Sequence, residues 1–192
     1  MPEGTAARPR GRNDPDRPDK IARGALEVIA RHGVEGLTHR AVATAAGVPL
    51  GSTTYHYATL DDILAAALRT AMDGNAQRLA DWAEGLGERP DVAAALTERV
   101  MSEAVEHEGR TIVEYELYLA ALRRSSLQRL SLEWSAVMTD VLTRFVDAET
   151  ADALSALYDG LLMRVLVSGH RLDRGSVEKV FRRVSSGTTA SR

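Results

Sequence analysis

Apolar side chains recur at the three- and four-residue spacing of α-helices along most of the chain, and strand-like alternation is rare. The first such stretch begins near residue 17 and ends at Gly33. Ile21, Ala25 and Val28 fall on one of its faces. From Thr59 onward the same spacing predicts further helices over 59–82, 91–107, 110–124, 127–146, 150–170 and 173–184. The pattern therefore predicts an all-α protein.

Two short helices joined by a glycine turn are predicted after the first helix. Thr38 can cap the first of them, residues 38–46, because its hydroxyl can accept from a free amide of the first turn. Gly47 suits the left-handed conformation that ends a helix, and Pro49 suits the start of the next one, residues 50–55. Two short helices crossing over a glycine turn form the helix-turn-helix, whose second helix enters the major groove of DNA.

Residues 18–70 resemble the DNA-binding domain of the TetR family of bacterial transcriptional regulators. The resemblance rests on the glycine turn, the short second helix and the closing run Tyr55-His56-Tyr57 before a new capped helix. Such a turn also occurs in plain helical bundles, but hydroxyls, His and Tyr on a short helix make a poor core and a good phosphate surface. The resemblance implies that Thr53 points inward. The implied DNA contacts are Thr38, His39, Arg40, Pro49, Leu50, Gly51, Ser52, Thr54, Tyr55, His56 and Thr59.

Two positions depart from the family pattern, because Leu50 and Leu60 stand where many members carry lysine. Leu50 suits a thymine methyl group rather than a phosphate. Phosphate binding near Leu60 is left to the helix amides beside Thr59, and Asp61 and Asp62 would repel a close phosphate. We therefore expect the surface to read DNA through hydroxyl and methyl contacts more than through guanine–arginine pairs.

The segments Glu114–Ala121 and Tyr158–Leu162 also resemble one type of TetR-family C-terminal domain. That resemblance implies a ligand cavity among the middle helices and a dimer formed by the last two long helices. Candidate cavity residues are polar or soft groups within apolar helices: Met101, Glu116, Tyr118, Arg123, Trp134, Met138 and Met163. Candidate dimer residues are apolar ones in excess of what a small core needs: Leu154, Leu157, Leu161, Val165, Val177 and Phe181.

The role of the cavity candidates has an alternative. Glu116 shares a helix face with Ile112, Leu119 and Arg123, so its charge is expected to be partly buried and to need a partner. A cationic ligand or Arg123 could serve. Alternatively, the Met, Trp and Tyr side chains fill the core and Glu116 is solvated.

Charge divides unevenly along the chain. Residues 1–60 hold eight Arg and Lys against six Asp and Glu, whereas residues 61–192 hold sixteen against twenty-one. The basic excess thus belongs to the part expected to meet phosphates. The arginines of Arg8-Pro9-Arg10-Gly11-Arg12 could enter a narrow minor groove, although a solvated tail is the alternative.

Other classes of protein find little support. The chain has no cysteine, no run of eighteen apolar residues and no apolar leader, which favours a cytoplasmic protein without a membrane partner. Its five histidines lack metal-ligand spacing, and neither a phosphate loop nor a nucleophile elbow is present. We therefore expect no metal, no cofactor and no catalysis.

Four segments are expected: a flexible arm (1–17), a helix-turn-helix domain (18–58), a ligand-binding and dimerisation domain (59–185) and a frayed tail (186–192). The hypothesis is a homodimeric repressor that a small molecule releases from a palindromic operator, acting through the helix that begins after Thr59. The alternative is a helical small-molecule-binding protein that does not act on DNA, and an enzyme ranks third.

Overall fold

The computed structural model describes residues 14–169 and 173–186, which form nine α-helices and contain no strand. This confirms the predicted all-α class. Residues 1–13 of the predicted arm, with Arg8, Arg10 and Arg12, and nearly all of the predicted tail lie outside the described residues, whereas Arg17 already belongs to the first helix. The helices are α1 (Arg17–His32), α2 (His39–Ala45), α3 (Leu50–His56), α4 (Leu60–Gly85), α5 (Val92–Val105), α6 (Glu108–Leu122), α7 (Gln128–Leu142), α8 (Ala148–Val167) and α9 (Arg174–Ser186).

Side-chain caps fix where several helices begin. The Thr38 hydroxyl accepts a hydrogen bond from the Ala41 amide at 3.1 Å, as the sequence predicts. At the start of α4, Thr59 and Asp62 form a reciprocal capping box, and the hydrogen bonds from Thr59 lower the pKa of Asp62. Helix α4 then passes through Gly74 as a single helix of 26 residues.

One predicted helix break lies elsewhere. The sequence suggested that Glu108 and Gly109 separate two helices, but α6 begins at Glu108. The turn falls at Glu106 and His107, and His107 is the N-cap residue. Gly109 is tolerated because it sits in the first turn, where the backbone amides lack helical partners in any case.

The first of two apolar cores joins the helix-turn-helix to helices far along the chain. It is built from α1, α2, the first half of α4, α6 and the start of α7. Val42 of α2, Leu68 of α4 and Leu117 of α6 lie in it and are inaccessible to solvent. A boundary at residue 58 remains a prediction about function, because the apolar packing continues across it.

The second core is built from the second half of α4, α5, the second half of α7, α8 and α9. Leu96 of α5, Leu154 of α8 and Phe181 of α9 are fully buried there. Helices α4 and α7 thus run through both cores. Among the described residues, no helix is both long and apolar enough to cross a membrane.

Because Leu117 is fully buried in the first core, we predict that Leu117→Ala lowers the free energy of unfolding by about 2–5 kcal/mol, the usual cost of such a cavity. Leu132→Ala is the matched control, because Leu132 is 71% exposed and its change should cost less than about 0.5 kcal/mol. Urea unfolding measures both variants. Equal losses would show that α6 is not part of the core.

Candidate nucleic-acid interface and ligand cavity

Helix α3 presents one face to solvent and the other to the protein. Leu50 is 45% exposed and Tyr55 is 84% exposed, and Thr54 and His56 are exposed beside them. Thr53 is fully buried, and its hydroxyl donates to the Leu50 carbonyl at 2.8 Å. The outer face therefore carries a methyl-bearing, a hydroxyl-bearing and an aromatic side chain, which can contact base edges and phosphates.

Polar contacts from α1 and α2 hold α3 in place. The Tyr57 hydroxyl donates to the Pro18 carbonyl at 3.3 Å, and Arg17 Nη1 donates to Ser52 Oγ at 3.4 Å. His39 Nδ1 lies 3.3 Å from the buried Thr53 hydroxyl. Two candidate DNA contacts, Ser52 and His39, are therefore half-buried and already engaged within the protein.

The remaining candidate DNA contacts surround this face. They are exposed and lie at the starts of α2, α3 and α4: Thr38, Arg40, Pro49, Gly51 and Thr59. The Thr59 hydroxyl is engaged with Asp62, both accepting from its amide and donating to its carboxylate at 2.8 Å. A phosphate near Thr59 would therefore compete with the chain's own carboxylate.

A partly open cavity lies between α4, α5, α6, α7 and α8. It leaves about 50 Å³ for the centres of water-sized molecules, whereas sites for drug-sized ligands measure about 300–1,000 Å³. Its lining combines charged groups with aromatic rings: Asn75, Leu79, Arg99, Glu103, Thr111, Glu114, Tyr115, Trp134, Ser135, Met138, Ser155, Tyr158, Asp159 and Leu162.

Only two residues of the predicted cavity set, Trp134 and Met138, line this space. Glu116 instead accepts a hydrogen bond from the Val34 amide at 2.5 Å. It turns away because successive helical residues are about 100° apart, so Glu114 and Tyr115 point inward and the next side chain does not. The other candidates outside the lining are Met101, Tyr118, Arg123 and Met163.

Several lining residues were missed from the sequence. Arg99 and Glu103 are buried, although both types are usually exposed. The available signal was their four-residue spacing next to Leu96 and Val100, which places an ion pair on an apolar helix face.

Glu103 is held by two arginines. Arg110 Nη2 donates to Glu103 Oε2 at 2.7 Å, and Arg99 Nη2 lies 3.4 Å from Oε1. Burial by itself raises the pKa of Glu103, but the hydrogen bond from Arg110 and the charges of Arg99 and Arg110 outweigh it, so the pKa is lowered. The Arg99 guanidinium also lies 5.2 Å from the Trp82 ring centre, over its face.

For Glu114, burial outweighs the nearby arginines, so its pKa shifts in the opposite direction to that of Glu103. Glu114 pairs with Arg78, and Arg110 Nε lies 3.8 Å from the same carboxylate oxygen. Burial nevertheless dominates and raises the pKa of Glu114 above its ordinary value.

Asp159 is the third acidic residue of the lining. It accepts a hydrogen bond from the Tyr115 hydroxyl at 3.0 Å, and it forms no ion pair among residues 14–169 and 173–186. The residue as a whole is exposed, but enough protein surrounds its carboxylate that desolvation raises its pKa. Asp159 is therefore a carboxylate that borders the cavity without a cationic partner in the described chain.

The candidate dimer residues lie mostly inside the protomer. Leu154, Leu161, Val165, Val177 and Phe181 are at most 5% exposed, so they have little surface left for a partner. The sequence pattern identified apolar positions correctly but could not separate the core face from an outer face.

The outer surface of α8 and α9 has a different set of residues. Leu157 of the predicted set is half-buried, and small Ala153, Ala156 and Gly160 are exposed at helical spacing beside it. On α9, Val180 is 40% exposed. These residues leave a face that another helix could approach closely.

Comparison with known proteins identifies the family. A family model described as the tetracyclin repressor-like C-terminal domain matches residues 87–187. The chain belongs to the TetR family. Such regulators bind DNA operators and small-molecule ligands as dimers, and this TetR-family chain is a ligand-responsive DNA-binding transcriptional regulator.

Three similar proteins cover most of this TetR-family chain. The multidrug-binding protein EbrR, in its ethidium complex, is 38% identical, with a TM-score of 0.80 over 90% of this chain and 99% of EbrR. SCO1917 from Streptomyces coelicolor A3, a TetR-family member, is also 38% identical, with a TM-score of 0.77 over 89% and 99% of the two chains. The HTH-type transcriptional regulator PksA of Bacillus subtilis strain 168 is 24% identical over 176 residues, 84% of each chain.

The buried ion pairs predict a stability difference between two Glu→Gln variants. Glu103→Gln removes the countercharge of a buried arginine and should cost roughly 3–5 kcal/mol of unfolding free energy at neutral pH. Glu133→Gln breaks the exposed pair with Arg129, at 2.8 Å, and should cost less than about 1 kcal/mol.

The pH dependence of these variants has a defined sign. Because the pKa of Glu103 is lowered by folding, its contribution is present above the ordinary carboxyl pKa of about 4.3 and is lost as pH falls through the lowered value. The gap between wild type and Glu103→Gln should therefore narrow in acid, as followed by urea unfolding. A gap no larger than that of Glu133→Gln at neutral pH would contradict the structural role of Glu103.

Proposed function

We propose that the chain is a homodimeric repressor that binds a palindromic operator and releases it when an aromatic cation occupies the cavity. The observation that carries the ligand class is Asp159, a carboxylate at the cavity with no cationic partner among the described residues. The proposed reading surface is the exposed face of α3. The two parts of the proposal are supported by different observations.

The DNA part rests on shape and chemistry. Two recognition helices of a symmetric dimer meet successive major grooves about 34 Å apart, so the operator is proposed to be palindromic. Tyr55 and His56 are proposed to contact phosphates, and their rings are in an edge-to-face contact at 5.1 Å. Leu50 and Thr54 are proposed to lie near base edges.

The ligand part rests on the composition of the cavity wall. Asp159 lies with the aromatic rings of Tyr115, Tyr158 and Trp134 around one space. A carboxylate beside aromatic faces favours a flat cation, because both the charge and the ring quadrupole attract it. EbrR, 36–38% identical to this chain, has been crystallised with ethidium, proflavin and malachite green, and ethidium and malachite green are aromatic cations.

The size of the cavity suggests how a ligand acts. A space of about 50 Å³ is several-fold smaller than the roughly 300–1,000 Å³ of sites that hold drug-sized ligands, so a dye does not fit in it as it stands. An aromatic cation therefore has to displace side chains and surrounding helices. A ligand shifts a conformational equilibrium only by its difference in affinity for the two states, and this ligand fits only the expanded state. We propose that the expanded state holds the two recognition helices of the dimer at a spacing unsuited to the operator.

The dimer is proposed to form through the outer face of α8 and α9. Leu157 and Val180 supply apolar area, and Ala156 and Gly160 allow close helix approach. A binding protein without a DNA role was the alternative. Membership of a family of transcriptional regulators does not favour it.

We predict that Tyr55→Phe combined with His56→Ala weakens operator binding by a few kcal/mol, equally for matched and mismatched duplexes, because phosphate contacts carry no sequence information. The matched control is Tyr118→Phe with His107→Ala, which makes the same chemical changes on and beside α6. Fluorescence anisotropy on a duplex selected from a random library measures both. Selection without an enriched palindrome, or equal losses in both variants, would overturn the DNA part.

We predict that Asp159→Asn weakens ethidium binding about tenfold, which corresponds to roughly 1.4 kcal/mol. Asp152→Asn is the control, because Asp152 is exposed on the same helix and does not line the cavity. Ethidium fluorescence without DNA present measures both variants. Equal affinities in wild type and Asp159→Asn would contradict the cation site.

The same site predicts a pH effect on ethidium affinity. Because desolvation raises the pKa of Asp159, its proton is taken up at a higher pH than the ordinary value of about 3.9. Protonation removes the attraction, and the charge of ethidium itself is permanent. Wild-type affinity should therefore fall as pH is lowered through the raised pKa, and Asp159→Asn should show a smaller fall.

A further inference from the structure

Helix α6 lies between the ligand cavity and the helix-turn-helix. On one side, Thr111 and Tyr115 line the cavity. On another, Val113, Leu117 and Ala121 belong to the apolar core that contains α1 and α2. A larger molecule in the cavity would therefore displace α6, and α6 would in turn displace α1 and α2, which pack against it in the same core.

One polar contact fixes α6 to the connection between α1 and α2. Glu116 Oε1 accepts a hydrogen bond from the Val34 backbone amide at 2.5 Å. Val34 opens a single 3-10 turn, Val34–Gly36, whose own N-cap residue Gly33 offers no side-chain cap. Glu116 therefore supplies, from a helix more than eighty residues away in sequence, the cap that this turn lacks.

The backbone at the contact fits the carboxylate closely. Gly33 has φ +70°, a conformation that glycine adopts without steric cost. A Cβ atom at this position would lie 2.9 Å from Glu116 Oε1. The turn thus approaches the carboxylate as closely as a residue without a side chain allows.

A second contact holds the end of α6 to the start of α4. Arg124 Nε donates to Asp61 Oδ1 at 3.0 Å, and Arg124 Nη1 donates to the Ala120 carbonyl at 2.8 Å. Asp61 lies in the first turn of α4, directly after the recognition helix. An ion pair this exposed contributes little energy, whereas the hydrogen bond from Val34 to Glu116 is partly buried, so the Glu116 contact is the stronger of the two.

We infer that Glu116 is a positioning residue that fixes the orientation of the helix-turn-helix relative to the cavity and transmits ligand binding to the operator-binding surface. It does so through the Val34 amide and touches neither the ligand nor DNA. The transmission part rests on the proposed function, whereas the positioning part does not. Helix α4 also passes through both cores and is the competing route.

Four variants separate reach, charge and position. Glu116→Ala removes the acceptor, and Glu116→Asp keeps the charge but shortens the side chain by one methylene. Glu116→Gln keeps a carbonyl oxygen of nearly the same reach. Glu133→Ala is the matched control, because Glu133 pairs only with exposed Arg129 on α7 among the described residues.

The first measurement uses hydrogen–deuterium exchange of the free protein and needs no ligand. Exchange at the Val34 amide should rise in Glu116→Ala and Glu116→Asp and remain near wild type in Glu116→Gln and Glu133→Ala. Operator affinity should fall several-fold in the first two variants, because DNA must then order the domain. Unchanged exchange or unchanged operator affinity in Glu116→Ala would overturn the positioning role.

The second measurement is the factor by which malachite green lowers operator affinity. The affinity of malachite green for the free protein is measured in parallel. Coupling between sites is typically 5–150-fold, and Glu116→Ala should reduce the wild-type factor at least about fivefold while dye affinity is unchanged. Glu116→Gln should retain the wild-type factor. Full coupling in Glu116→Ala would overturn transmission through Glu116 and assign it to α4.

The two proposals fail in distinguishable ways. If malachite green and ethidium do not bind wild type, the proposed ligand class is wrong, and the exchange and operator measurements still decide the positioning role. The other outcome is that the dyes bind the wild-type protein and release it from the operator, and weaken operator binding by Glu116→Ala just as much. In that case the proposed function stands and this inference falls.

Discussion

The structure depends most on the position of α6 between the first apolar core and the cavity. Leu117 is completely buried in the core that contains the helix-turn-helix, while Tyr115, two residues earlier, lines the cavity. Protein interiors are close-packed and transmit small displacements, so neither side of this helix can move alone. The DNA-binding part is therefore not an independent module attached by a linker. Its position is set by the same helix that forms the cavity wall.

The cavity is unusual for its buried charge. Replacing buried ion pairs by apolar residues is often neutral or stabilising. The cluster around Glu103 therefore stabilises the fold no more than apolar side chains would. Its arrangement is more specific: Arg78, Arg99 and Arg110 pair with Glu103 and Glu114. Among the described residues these pairs leave Asp159 without a guanidinium. The proposed cationic ligand would give Asp159 the partner that these arginines do not supply.

The helix-turn-helix was predictable because its signals are local. A capping hydroxyl at Thr38 and a glycine at position 47 with φ +64° fix short helices within a few residues of themselves. Helix class and most helix ends followed from the same kind of signal. Several ends differ by two to four residues: α6 begins at Glu108 rather than at 110, because His107 carries no strong capping signature, and α7 ends at Leu142 rather than at 146.

The cavity was less predictable because it depends on how separate helices are rotated against each other. Glu114 and Glu116 look alike in sequence, but one lines the cavity and the other contacts Val34. The same limit applied to the dimer residues: Leu161 and Phe181 are apolar because they fill the protomer core. Spacing assigns residues to a face of a helix, and only the tertiary packing says what that face meets.

The most direct test of the account is a titration of malachite green into the wild-type protein bound to its selected, labelled operator. The Asp159→Asn variant on the same duplex shows how far the dye acts on DNA itself. The account predicts that operator affinity of wild type falls at least about fivefold at saturating dye, within the usual range of coupling, and that the variant requires a higher dye concentration. Dye binding to the free protein with no loss of operator affinity would contradict it.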